Sequence, residues 1–152
     1  MPDMATNGCV ALVTGAAQGL GLAAARQLLA MGFRGILMLD RNGELLRHAA
    51  SGLGQGKTLA LQGDLMDSDL PCRAVEACLQ RFGRLDVLIN AAGNTERCGL
   101  DDTTHDSFER LFGVNARAPF FLMQEAVKPM RTQGSGVIIN VSSMLAHGGP
   151  PN

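Results

Sequence analysis

A chain of 152 residues with 46% apolar composition is long enough for one compact domain with a core, residues 1–152, and too short for two. Its formal net charge is -1 and its basic residues are scattered, which argues against a nucleic-acid binder or a protein held on an anionic membrane. Residues 1–8 lack the basic and apolar regions of a signal peptide, and no apolar run approaches the roughly 20 residues that span a bilayer. The expected location is cytoplasmic and the expected partner a small molecule.

Short apolar runs alternate with longer stretches of helical period along the whole chain, the pattern of parallel strands joined by crossover helices. The expected fold is therefore α/β, a doubly wound parallel sheet of the Rossmann type. Five strands are predicted, over residues 10–13, 35–39, 58–61, 85–89 and 137–141. The first helix is predicted to begin near Gly19 with Leu20, Ala24, Leu28 and Met31 on one face, and Gly32 closes it. A later helix has Asp69 as its expected N-cap beside Pro71, then Ala74, Cys78, Leu79 and Phe82 at helical spacing, and it stops at Gly83. One long helix is expected over residues 104–130. The final run, Val137-Ile138-Ile139, is apolar on consecutive positions, as in a strand buried on both faces with neighbours on both sides, so the sheet reads as incomplete at its C-terminus.

The first strand runs into Thr14-Gly15-Ala16-Ala17-Gln18-Gly19-Leu20-Gly21, a glycine-rich turn that opens a helix. Such a turn lets the backbone approach a pyrophosphate, whose charge is favoured by the free N–H groups and positive dipole end of the helix. The alternative is that these glycines only punctuate a strand-to-helix turn. Asp40 weighs against that alternative, since it ends the second strand nineteen positions after Gly21. An acidic group about 20 residues on is suited to the adenosine ribose hydroxyls. A carboxylate there also repels a 2'-phosphate, which favours NAD, whereas Arg41 beside it could stack on adenine or attract that phosphate, which leaves NADP possible. A solvated charge for Arg41 and a helix cap for Asp40 are the plainer readings.

The spacing GxxxGxG in TGAAQGLG resembles the cofactor motif of the short-chain dehydrogenase/reductase family, and further motifs follow in that family's order. Asp64-Leu65 is similar to the pair that borders the adenine ring. Asn90-Ala91-Ala92-Gly93 resembles the NNAG motif, with Ala91 replacing the second asparagine. Val114-Asn115 is similar to the VN pair, and Asn140-Val141-Ser142-Ser143 resembles the strand-end motif whose second serine is catalytic. The resemblance implies an NAD(P)-dependent oxidoreductase moving a hydride between nicotinamide and a small alcohol or ketone, with homo-oligomers when full length. It implies a cofactor site at Thr14, Gly15, Gln18, Gly19, Leu20, Gly21, Asp40, Arg41, Asp64, Leu65, Asn90, Ala92, Gly93 and Val114. Ser143 would bond the substrate oxygen and Asn115 would support a proton-relay water. Pro119 adds a reason independent of the family, because proline has no N–H for the carbonyl four residues earlier, that of Asn115.

The same resemblance implies a YxxxK helix about a dozen residues after Ser143. The 152 residues contain no tyrosine, and Lys57 and Lys128 fall in the third strand and the long helix. The expectation is an amino-terminal part without its general acid/base, catalytically incompetent by itself; the alternative is a non-catalytic dinucleotide-binding module or an unstable fragment. A serine-histidine hydrolase built on His147 lacks a GxSxG elbow. Cys9, Cys72, Cys78 and Cys98 lack metal-type spacing, no histidine spacing supplies a metal site, and the thiols read as reduced small hydrophobes.

Overall fold

A computed structural model describes residues 7–54, 56–96 and 99–143. His147 and Cys98, both weighed above, lie outside them. Five strands, β1 (Val10–Thr14), β2 (Gly35–Asp40), β3 (Thr58–Gln62), β4 (Val87–Asn90) and β5 (Val137–Asn140), form one parallel sheet in the order β3-β2-β1-β4-β5. The order reverses between β1 and β4, and such a switch point opens a crevice at the carboxyl ends of the strands.

Alternate strand residues serve opposite faces, as the pleat requires. On one face Val10, Leu12, Leu37, Leu39 and Leu88 pack against α3 (Leu70–Phe82) and α5 (Ala118–Gln133). On the other, Ala11, Val13, Ile36, Met38, Val87 and Ile89 pack against α1 (Gly19–Ala30) and α2 (Gly43–Ser51). β1 and β4 are buried along their whole length and β2 up to Asp40, which is partly exposed, and this explains their continuous apolar runs.

Three expectations need correction. The buried residues of α1 are Gly21 and Ala25, whereas Leu20 and Met31 are 69% and 49% exposed; the smallest side chains face the sheet because the helix lies so close to it. Asp69 occupies the N-cap of α3 but makes no side-chain cap bond; its own N–H donates instead to Asp67 Oδ1 (3.0 Å). The long helix is not uniform, since α4 (His105–Phe112) passes through a π-helical turn, residues 113–117, before α5. The expected incompleteness of the sheet is visible at β5, which pairs only with β4: Val137, Ile139 and Val141 are 37%, 45% and 44% exposed, with no described residue covering that face, and only Ile138 packs on the core.

Among the described residues no helix is long and apolar enough to cross a membrane. The thiol of Cys78 is pushed up to about 12 by burial, then by the nearby Asp86 carboxylate. Cys9 is raised by the same two causes, and Cys72 chiefly by its hydrogen bond to Glu76. His48 and His105 are exposed on α2 and α4.

Candidate functional site

At the carboxyl ends of β1, β2 and β3 lies a cleft of about 320 Å³ whose floor is the glycine-rich turn. Two glycines there are required by geometry. Gly15 has φ +64°, and a Cβ on it would sit 2.8 Å from Ala92 Cα; a Cβ on Gly21 would sit 2.3 Å from the Gly15 carbonyl oxygen. The backbone therefore turns where any side chain would collide. No side chain caps the start of α1, since Gln18 at the N-cap makes no cap bond, so the helix presents its first N–H groups to the cleft.

Thr14, 1% exposed, ties this turn to the loop after β4: its Oγ1 accepts from the N–H groups of Ala91 (3.1 Å) and Ala92 (3.0 Å). Asp40 ties it to β2, because Oδ2 accepts from the Ala17 N–H (3.1 Å) and Oδ1 from the Asn42 N–H (3.0 Å). The helix cap is Asn42 itself, whose Oδ1 accepts from the Leu45 N–H (3.1 Å). Each Asp40 oxygen keeps a lone pair, so one carboxylate can order the turn and still accept a ligand hydroxyl. Arg41 lines the cleft with an exposed side chain.

The far wall is Asp64, Leu65, Met66 and Val114. Asp64 Oδ1 accepts from the Met66 N–H (2.9 Å), which fixes the bend of that wall. Gln18, Gly19, Leu20, Ala92 and Gly93 also line it. A hollow with close backbone approach, uncapped helix N–H groups and one carboxylate at the end of β2 has the chemistry for a ribose joined to a pyrophosphate. Leu39, Gly63, Met66, Ala91, Asn94 and Arg110 also line the cleft and were not among the residues expected there; Met66 had only its place after Asp64-Leu65 as a signal.

A second hollow, of about 460 Å³, adjoins the first across the Asn90–Asn94 segment and is lined by Asn90, Asn115, Pro119, Asn140, Ser142 and Ser143 among others. Asn90 Nδ2 donates to Asn140 Oδ1 (2.8 Å), while its buried Oδ1 has no protein partner among the described residues. Asn115 holds Asn94 by both backbone groups: its Oδ1 accepts from the Asn94 N–H (2.8 Å) and its Nδ2 donates to the Asn94 carbonyl (2.7 Å). The side chain is thus tied to the loop, and the backbone oxygen of Asn115 has no N–H four residues on to bond it, since Pro119 stands there. That oxygen lies in the π turn, where the Ala118 N–H reaches back to Gly113 rather than to Val114. Val114 and Asn115, adjacent in sequence, line different hollows.

A family model described as short chain dehydrogenase matches residues 9–152. Among curated proteins, the chain is 40% identical over 137 residues to the short chain dehydrogenase andC of Emericella variicolor, covering 88% of this chain and 52% of that protein. It is 36% identical to 2-(R)-hydroxypropyl-CoM dehydrogenase of Xanthobacter autotrophicus, covering 90% of this chain and 57% of that one. Among solved structures, NAD+-bound xylitol dehydrogenase superposes with a TM-score of 0.88 at 32% identity, covering 97% of this chain and 58% of that one. The chain therefore spans little more than half the length of these relatives.

Proposed function

The chain belongs to the short-chain dehydrogenase/reductase family, and on that premise we propose that its 152 residues are the dinucleotide-binding part of a longer oxidoreductase acting on a small alcohol or ketone. The cleft takes NAD in preference to NADP. Thr14, Gly15, Gln18, Gly19, Leu20 and Gly21 receive the pyrophosphate, Asp40 the adenosine ribose, and Asp64, Leu65 and Val114 the adenine. Asn90, Ala92 and Gly93 border the passage to the second hollow. The observation that carries this reading is the Asp40 carboxylate, fixed by the Ala17 and Asn42 N–H groups at the end of β2. A fixed anion beside the ribose accepts from its hydroxyls and repels a 2'-phosphate. Arg41 is the opposing influence, and it is exposed where Asp40 is held.

The bound nicotinamide would supply the hydride chemistry. In the second hollow Ser143 would hydrogen-bond the substrate oxygen, and the Asn115 backbone oxygen would hold a relay water. The reading is supported by Pro119, which has no N–H to give to that oxygen four residues earlier. No tyrosine is present in the 152 residues to act as general acid/base, so the chain alone binds cofactor without turnover. We place the full-length protein in the cytoplasm as a homo-oligomer.

Fluorescence titration with NADH and NADPH, beside a turnover assay on a panel of alcohols, tests the proposal. Saturable NADH binding, tighter than NADPH and without turnover, is expected. Tighter NADPH binding would overturn the Asp40 assignment in favour of Arg41, and turnover by the chain alone would overturn its incompetence.

A further inference from the structure

We propose that Arg110, which no motif above includes, is the cation that covers the adenine ring in the cleft; this rests on the dinucleotide reading. Its side chain is exposed and lines the same cleft as Asp64, Leu65, Met66 and Val114, the wall assigned to the base.

Two ordinary explanations for an arginine on a helix surface fail at this position. Asp106 stands one turn earlier, at the spacing that favours an ion pair, yet the Arg110 guanidinium makes no ion pair or hydrogen bond among the described residues. A cation in the last turn of a helix often offsets the dipole, but α4 has no free end: it continues through the π turn into α5. The guanidinium is left uncommitted on the rim of a cleft that carries carboxylates at Asp40 and Asp64.

A planar, weakly hydrated cation suits the π face of a purine, while Leu65, Met66 and Val114 offer the base apolar contact. The contact also gives α4 something to rest on. None of its residues is buried, and Phe108 and Phe112 stack on each other at 4.4 Å while remaining 48% and 56% exposed. With adenine in place, Arg110 joins α4 to the opposite wall of the cleft through the ligand.

Calorimetric titration of the chain and of Arg110→Ala and Arg110→Lys with AMP, nicotinamide mononucleotide and adenosine 2',5'-bisphosphate tests this. Arg110→Ala is expected to weaken AMP about two- to fivefold, the range of an exposed cation–π contact, to leave nicotinamide mononucleotide unchanged, and to show the same loss in high salt. Arg110→Lys recovers little of it, because a point cation lacks the planar face. Equal AMP affinity in Arg110→Ala, an equal loss for nicotinamide mononucleotide, or a loss confined to the bisphosphate would each overturn the proposal, the last by making Arg110 a phosphate reader. Failure of the unaltered chain to bind AMP would overturn the dinucleotide reading itself. Melting curves matching the parent are expected, since Arg110 is exposed and unpaired.

Discussion

Thr14 shows how much one side chain can carry. Its hydroxyl oxygen is the acceptor for two backbone N–H groups of the loop after β4, in a setting where Thr14 itself is buried. Thr14→Val keeps the shape and removes the acceptor, leaving two donors without their partner. A loss of about 2 kcal/mol or more is expected in urea unfolding, with Thr14→Ser retaining most of the stability; an unchanged midpoint in Thr14→Val would show that the bonds carry no weight. Asn115 is comparable on the other hollow. Asn115→Ala removes both of its bonds to Asn94, and faster amide exchange at Asn94 is expected, with about 1–2 kcal/mol lost.

Among the elements, the π turn of residues 113–117 stands between the two hollows. It directs Val114 to one hollow and Asn115 to the other, and Arg117 Nη2 pins it to the Met66 carbonyl (3.2 Å). Arg117→Ala is expected to loosen the wall at Met66, read as faster exchange there and weaker AMP binding, while the core strands keep their protection. The strands, their parallel sense and the glycine turn were legible in the sequence because each rests on a local pattern: a buried run, a helical period, or a turn of fixed spacing. The π turn was not legible: the proline four residues past Asn115 spoke only for that residue's carbonyl, and the contacts of Gly113 and Arg117 with Met66 join residues distant in sequence. The facing side of α1 was misread for a related reason. Hydrophobic period favoured Leu20 and Met31, but close approach to Gly15 favoured Gly21 and Ala25. Sequence likewise offered nothing for Arg110, which reaches the cleft only because α4 lies beside the Asp64–Met66 wall.

For the molecule as a whole, alkaline pH probes the core that supports the site. The Cys78 thiol, raised from 9.0 to about 12 chiefly by burial, is protonated in the folded state where the unfolded thiol has ionised. Unfolding thus releases a proton, and stability falls as pH rises from about 9 toward 12. Denaturant midpoints are expected to decline across that window, and Cys78 is expected to resist alkylation until unfolding, whereas exposed Cys72 is accessible. A flat alkaline profile would contradict the burial of Cys78 on the inner face of α3.

The account stands or falls on whether the cleft floored by the glycine turn receives a dinucleotide. Residue-resolved hydrogen exchange of the chain with and without saturating NADH measures that most directly. Protection is expected at residues 14–21, at Asp40 and at residues 91–93, together with the wall at Leu65 and Met66. Protection confined to other surfaces, or no change in a chain whose core strands are themselves protected, would contradict it.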